Sequence, residues 1–273
     1  MGIIDIHTHL GMQEVPKEVL EKMASGYHQE TGQFGAKSID QMITEMDEVG
    51  IEKAVLLASD AETLRPLLTV SNEAVAEAVS KYPDRLIGFG SADPHKGILA
   101  VREIERAVRE LNLKGLKFVP GLLELYPNDK EMYRIYEKAR ELSIPILFHT
   151  GTDFFPDTKI KYCRPIYLDD VAIDFPELTL IMAHFSWPWT EEAIAIVQRN
   201  RNVYMDISGW SPKYFPEVLV RYINGPISGK ALFGSDYPTL PLKRIIPEFN
   251  QLPLKEESKK KILYENAKRV LKL

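Results

Sequence analysis

Eight short apolar runs divide the chain at regular intervals, and most are followed by a longer segment with helical periodicity. The runs lie near residues 3–9, 53–58, 85–91, 113–119, 144–149, 178–184, 202–207 and 230–236. Strands that alternate with amphipathic helices form a parallel sheet, because each helix returns the chain to the same end of the sheet. Eight such units in 273 residues predict a closed (β/α)8 barrel of the TIM type, an α/β fold, as a single domain over residues 1–273.

An open doubly wound sheet is the main alternative fold for strands that alternate with helices. Its dinucleotide-binding members place a glycine-rich phosphate loop directly after the first strand, and no such loop follows the first run. Among the connecting segments, Ser38 and Gln41 form a predicted capping box for a helix that ends at Val49. Residues 253–271 present one apolar stripe, which is typical of a helix that packs on the barrel.

Composition narrows the range of partners and compartments. The net charge of −5 argues against nucleic acid and against anionic membranes. The single cysteine, Cys163, rules out an internal disulfide and fits a reducing compartment. Residues 1–7 lack the features of a signal peptide, and no apolar run is long enough to span a bilayer. We therefore expect a cytoplasmic protein that acts on a small molecule, and the sequence leaves open whether it forms a homo-oligomer.

Four histidines and one aspartate lie at the ends of apolar runs. His7 and His9 end the first run and share a face, about 7 Å apart, because side chains alternate along a strand. His149, His184 and Asp236 end the fifth, sixth and eighth runs. The C-terminal ends of barrel strands converge on one mouth, and imidazoles with a carboxylate suit zinc or another divalent metal. We predict a metal site there, although each residue alone also fits a structural histidine or a turn.

Seven short motifs lie in or next to the apolar runs, and together they cover essentially the whole chain. They are IDIHTH at 4–9, YPDRLIGF at 82–89, GLK at 115–117, HTG at 149–151, AH at 183–184, YMD at 204–206 and FGSDYP at 233–238. In these motifs the chain resembles the amidohydrolase superfamily, and within it the branch that includes aminocarboxymuconate-semialdehyde decarboxylase. The resemblance implies one or two divalent metals at the mouth, with His7, His9, His149 and Asp236 as ligands. It makes His184 either a ligand or a catalytic acid/base beside the metal.

Lys117 departs from the one-metal pattern of this branch. It ends the fourth run, where Leu116 and Phe118 should pack on helices, so its side chain is expected to point into the barrel. The resemblance implies that a carboxylated lysine on this strand bridges the ions in two-metal amidohydrolases. The alternative is an unmodified ammonium that binds substrate or pairs with a carboxylate. We favour the ammonium and one ion, most simply zinc, with two ions if Lys117 is carboxylated.

The loops after the strands should determine specificity. The longest loop, residues 10–37, contains Phe34, and further aromatic residues follow later strands. Aromatic side chains here could line a substrate pocket or equally cap the core of the mouth. We predict Lys117, Arg164 and Trp189 as substrate-binding residues. Arg164 is included because a guanidinium binds a carboxylate through two hydrogen bonds, and its alternative is an ordinary surface arginine.

The main functional expectation is a metal-dependent hydrolase. The metal would lower the pKa of a bound water towards ~7. Asp236 would take the proton as hydroxide attacks the carbonyl carbon of an amide, ester, lactone or β-keto compound, with protonated His184 and the metal stabilising the oxyanion. The alternative is a metal-dependent non-oxidative decarboxylase of an aromatic or enoic acid, which the same residues could serve. A non-catalytic binding barrel is disfavoured, because no ligand position is replaced.

Overall fold

Eight parallel strands form one sheet in the computed structural model, which describes residues 2–10, 21, 37–153, 155 and 157–273. The strands follow the order of the sequence, and each is hydrogen-bonded to the next. They are β1 (Ile3–Thr8), β2 (Ile51–Leu57), β3 (Leu86–Gly90), β4 (Gly115–Phe118), β5 (Ile146–Phe148), β6 (Leu180–Met182), β7 (Val203–Asp206) and β8 (Ala231–Leu232). All eight lie inside or overlap the apolar runs of the sequence.

The segment that follows β8 returns to β1 and closes the sheet. The backbone N–H of Ile6 donates to the carbonyl of Phe233 at 3.0 Å, and that of Asp236 donates to the carbonyl of His7 at 2.8 Å. The predicted (β/α)8 barrel is therefore confirmed. Within the described ranges, the helices are all too short or too polar to cross a membrane.

Helices connect the strands and cover the outside of the barrel. They are α1 (Ile39–Val49), α2 (Asn72–Lys81), α3 (Ile98–Arg109), α4 (Pro120–Leu123), α5 (Lys130–Glu141), α6 (Tyr167–Asp174), α7 (Thr190–Arg199), α8 (Glu217–Ile223), α9 (Leu242–Asn250), α10 (Glu256–Lys260) and α11 (Asn266–Leu271). The predicted capping box is present, because the Ser38 hydroxyl accepts from the Gln41 N–H and the Gln41 side chain accepts from the Ser38 N–H. A π-helical turn at Lys261–Glu265 joins α10 to α11, so the predicted helix over the end of the chain is one continuous segment.

The strands are mostly apolar because both of their faces are largely covered. A cluster of side chains from several strands fills the barrel interior, and it contains Ile4, Ile6, Val55, Leu57, Phe89, Leu147, Ile181 and Leu232. Along β1 the register with β2 is interrupted between Asp5 and Thr8. Ile6 packs in the inner cluster, and His7 next to it is buried at the mouth. Such an irregularity allows consecutive side chains to face the interior, which strict alternation does not.

Gly115 on β4 provides the space that the Phe89 ring occupies. A Cβ built on Gly115 would lie 2.5–2.6 Å from three atoms of that ring, which is far inside normal contact. We expect Gly115→Ala to lower the free energy of unfolding by about 1–3 kcal/mol, the usual cost of an overpacked core. Urea unfolding followed by circular dichroism measures this change. Gly229→Ala is the matched control, because a Cβ there meets no described atom within 4 Å, and an equal loss in both variants would contradict the assignment.

Candidate metal centre

The ends of four strands bring His184 and the predicted ligands into one group at the mouth, in which His9 alone is partly exposed. His9 Nε2 lies 3.1 Å from Asp236 Oδ1, and His7 Nε2 lies 3.5 Å from the same oxygen. Potential ligand atoms of His7, His9 and Asp236 all lie within 4.8 Å of one another. The other carboxylate oxygen, Asp236 Oδ2, is buried and has no hydrogen-bond partner among the described residues. Two imidazoles beside an unpartnered carboxylate oxygen fit a divalent transition metal.

His149 and His184 form the neighbouring part of the group. His184 Nε2 lies 3.1 Å from His149 Nδ1, and the His184 ring lies 4.8 Å from that of His7 between centroids. His149 Nε2 lies 3.1 Å from the carbonyl of Thr152. The structure therefore brings all five strand-end residues into contact, with His184 between His149 and His7.

Asp206, at the end of β7, is a site residue that the ligand prediction missed. Its Oδ2 lies 2.6 Å from His7 Nδ1, and its Oδ1 accepts from the backbone N–H of Ser208 at 2.7 Å and of His184 at 3.4 Å. This contact leaves His7 Nε2 facing Asp236. Ligating histidines usually donate their second N–H to such a carboxylate, which fixes the ring and its tautomer. The available sequence signal was an acidic residue at the end of the seventh apolar run, the same position that Asp236 has after the eighth.

The backbone changes direction sharply at two of these residues. Asp236 has φ 61° and His184 has φ 58°, in the left-handed region that residues other than glycine rarely adopt. Holding such a conformation costs on the order of 1–3 kcal/mol and persists only where the surrounding structure enforces it. For Asp236, the hydrogen bond from its N–H to the His7 carbonyl provides part of that enforcement.

Burial keeps the imidazoles of His7, His149 and His184 neutral. Desolvation, with the nearby positive charge of Lys117 as the next cause, lowers the pKa of His149 to about 3 and that of His7 well below its ordinary value. Desolvation, followed by the neighbouring His149, also lowers the pKa of His184 well below its ordinary value. A neutral imidazole has the free lone pair that a metal requires. The neutral forms of His7 and His149 therefore favour metal binding.

Lys117 lies within this group, as predicted for its side chain. It is buried, and its Nζ lies 3.2 Å from His7 Nε2. Desolvation lowers its pKa to about 8, and the carboxylates of Asp206 and Asp236 oppose that shift. A lysine with this pKa is mostly an ammonium at neutral pH. It is the one substrate-binding candidate of the three that contacts the cluster directly.

Arg164 and Trp189 lie apart from the cluster. The Arg164 guanidinium forms a two-point ion pair with Glu192, at 3.2 Å from Nε and 2.9 Å from Nη2, and its side chain is 47% exposed. The Trp189 ring is 6.0 Å from the Arg164 guanidinium carbon. The Glu192 carboxylate thus already accepts from the two guanidinium N–H groups that were expected to bind a substrate carboxylate. Most of the loop over 10–37, including Phe34, falls outside the described residues.

Comparison with known proteins identifies the family. The amidohydrolase family model matches residues 4–273. The chain belongs to this family. A gamma-resorcylate decarboxylase of a Polaromonas species is 24% identical over 86% of this chain and 87% of its own length. A 2-amino-3-carboxymuconate-6-semialdehyde decarboxylase of Dictyostelium discoideum is 25% identical over 64% of this chain and 57% of its own.

Solved structures share the whole barrel. An uncharacterised TIM-barrel protein of Bordetella bronchiseptica is 26% identical with a TM-score of 0.84, covering 100% of this chain and 99% of that one. A dihydroxybenzoic acid decarboxylase of Polaromonas, solved with bound manganese and the inhibitor 2-nitroresorcinol, is 20% identical with a TM-score of 0.72, covering 100% and 97%. The predicted resemblance to this branch of the amidohydrolases is therefore confirmed.

The main functional expectation, hydrolysis at a carbonyl carbon, is wrong. The named relatives are decarboxylases, and so are several named structural neighbours. These names agree with the alternative function considered from the sequence. The error has a physical reason, since a cluster of imidazoles and a carboxylate around a Lewis-acidic ion serves either reaction. The ligand set alone therefore does not distinguish them.

Asp206 should set the affinity of the centre for its ion. Asp206→Asn keeps the size of the side chain but removes the charge that faces His7 Nδ1 at 2.6 Å. We expect the affinity for a divalent ion to fall about 10–100-fold, the usual effect of losing a carboxylate behind a ligating histidine. Competition with a chromophoric chelator measures it. Asp169→Asn is the control, because the Asp169 carboxylate pairs with Arg199 and Asn200 instead; unchanged affinity in Asp206→Asn would contradict the role.

Proposed function

We propose that this protein is a metal-dependent non-oxidative decarboxylase of a small aromatic or enoic carboxylic acid, acting as one domain over residues 1–273. The observation that best supports this function is the similarity to named decarboxylases over most of the chain. The buried ammonium of Lys117, 3.2 Å from His7 Nε2 and beside the candidate metal ligands, fits it. A carboxylic acid substrate is an anion, and a buried cation next to a metal centre suits an anionic substrate. The names of the relatives agree with this chemistry.

We assign one divalent ion to His7, His9, His149 and Asp236. Three nitrogen ligands and one oxygen ligand favour zinc, and the manganese of the Polaromonas decarboxylase makes manganese the competing assignment. When bound, the ion would act as a Lewis acid towards substrate oxygens. Asp206 would hold His7 in the orientation that ligation requires.

Asp236 and His184 are the proposed proton-transfer residues. In the overall reaction the bond between the substrate carbon and its carboxylate breaks, carbon dioxide leaves, and the electron pair left on carbon takes up a proton. Asp236 Oδ1, which faces His7 and His9, would be the oxygen that binds the ion. Asp236 Oδ2 is buried and unpartnered among the described residues, so it would hold that proton and deliver it. His184, linked to His149 at 3.1 Å and to Ser208 Oγ at 3.0 Å, would relay a proton from solvent to Asp236 after each turnover, accepting on one ring nitrogen and donating from the other, so that the ring stays neutral.

Lys117, Arg164 and Trp189 are the proposed substrate contacts. Lys117 would donate a hydrogen bond to a substrate oxygen inside the barrel. Arg164 and Trp189 belong to the segments after β5 and β6, and they contact each other. We place them at the rim, against the part of the substrate farthest from the reacting carbon.

Release of carbon dioxide tests the function. We expect the metal-loaded protein to release carbon dioxide from at least one member of a panel of hydroxybenzoic and dienoic acids, and chelation of the metal to stop the release. Asp236→Asn should lower the rate by roughly 10²-fold or more, the scale expected for a lost proton-transfer group. A coupled assay for dissolved carbon dioxide measures the rate, with Asp169→Asn as the control. Failure of the loaded protein with every acid in the panel would contradict the proposal.

The metal content distinguishes one ion from two. We expect the purified protein to hold about one ion per chain, and His184→Ala and Lys117→Ala to keep it while losing activity. If Lys117 were carboxylated and bridged two ions, both variants would lose about half of the metal. Mass spectrometry of the metal per chain measures this, with Lys114→Ala, an exposed lysine paired with Asn112, as the control. About two ions in wild type that fall in both site variants would overturn the one-ion assignment.

A further inference from the structure

Three metal-ligating side chains meet in the loop that follows β5, next to the candidate metal centre. They are His149, Asp153 and Cys163, and one potential ligand atom from each lies within 4.8 Å of the other two. His149 and Cys163 are buried, and Asp153 is partly buried. Neither Asp153 nor Cys163 has a role in the proposed reaction. The chain has only this one cysteine.

The residue that faces this cluster from α4 is a glycine, which leaves space between two of the three side chains. A Cβ built on Gly121 would lie 2.8 Å from Asp153 Oδ2 and 3.1 Å from Cys163 Sγ. Any larger residue would therefore compete for the volume that the carboxylate and the thiol share. The absence of a side chain at this position keeps the two potential ligands close together.

Local hydrogen bonds hold the potential ligands in place but leave lone pairs of Asp153 available. Asp153 accepts hydrogen bonds from the Phe155 N–H at 2.9 Å and from the Thr158 hydroxyl at 2.6–2.7 Å. The carbonyl of Cys163 accepts from the Gly151 N–H at 2.8 Å, which ties the two ends of the loop together. A carboxylate has about four lone-pair positions, so Asp153 retains capacity for an ion.

We infer that His149, Asp153 and Cys163 form a second metal site, for a borderline-soft divalent cation such as Zn²⁺, Co²⁺ or Cd²⁺. A sulfur, a nitrogen and an oxygen ligand together suit these ions and do not suit Mg²⁺ or Ca²⁺. Tetrahedral bonds of about 2.0–2.3 Å place ligand atoms roughly 3.3–3.8 Å apart, so closing from 4.8 Å or less needs only small side-chain movements. Binding would release the thiol proton to solvent and form a sulfur–metal bond.

The second site shares His149 with the centre formed by His7, His9 and Asp236. One imidazole cannot give its best geometry to two ions at once, so the two sites compete for it. His149→Ala would damage both sites and is a poor test. His9 belongs to the first centre alone, and Cys163 and Asp153 belong to the second alone, so variants at these positions separate the two.

Cobalt provides a direct test, because a thiolate ligand gives Co²⁺ a charge-transfer absorption band in the near ultraviolet. The purified protein, with whatever ion it holds, is titrated with Co²⁺. We expect the band to appear and to saturate at about one equivalent per chain. Cys163→Ser should abolish it. His9→Ala should retain it and need no more cobalt to reach half of it, because this variant weakens the centre that competes for His149. The cobalt band does not depend on the proposed decarboxylase function, because the titration measures no turnover.

Two further variants test the assigned ligand set. Asp153→Asn and Gly121→Ala should each require more cobalt to reach half of the band, the first by weakening a ligand and the second by filling the shared space. Absence of the band in wild type would overturn the inference. An undiminished affinity for cobalt in both variants would also overturn the inference, because Cys163 would then bind cobalt without Asp153 and without the space at Gly121.

Discussion

The hydrogen bonds that close the barrel between β1 and the segment after β8 are the constraint on which the candidate site depends. They place Asp236 against His7, although the two residues lie at opposite ends of the chain. A buried carboxyl group reinforces this junction, because Asp5 Oδ1 accepts from the backbone N–H of His7 at 3.1 Å and of Ser235 at 2.9 Å. Burial raises the pKa of Asp5 to about 7, so holding this group inside has a cost that the two hydrogen bonds offset.

The same burial that stabilises the barrel prepares the site for a metal. Water excluded from the mouth leaves the imidazoles of His7, His149 and His184 neutral, and neutral imidazoles are ligands. Isolated buried charges are costly, so charged groups inside a protein occur in opposing sets. Lys117 has the carboxylates of Asp206 and Asp236 near it. Desolvation at the strand ends therefore both keeps these imidazoles neutral and requires Lys117 to lie near opposite charges.

The barrel could be predicted from the sequence because its repeating pattern is local: each strand is an apolar run and each helix has its own stripe. The positions of His7, His9, His149, His184, Asp236 and Lys117 followed from their places at strand ends. Asp206 also ends a strand, so its place at the mouth could have been predicted in the same way. The ion pair of Arg164 with Glu192 and the approach of Asp153 to Cys163 could not be predicted in this way. Each depends on side-chain positions set by loops, whose conformations have no periodicity.

Hydrolysis and decarboxylation could not be separated at the level of the ligands, and the names of the relatives were needed to decide between them. The buried side chain of Lys117 then limits which acids would suit the site. In decarboxylation the negative charge leaves the carboxylate as carbon dioxide forms, and it moves onto the carbon framework of the substrate. A cation that gripped only the departing carboxylate would stabilise the ground state more than the transition state and would slow the reaction. On the proposed function, Lys117 therefore accelerates the reaction only if it faces a substrate oxygen that gains charge, such as an oxygen conjugated with the reacting carbon. An aromatic or enoic acid with a hydroxyl or carbonyl group near its carboxylate meets that requirement, and a simple saturated acid does not.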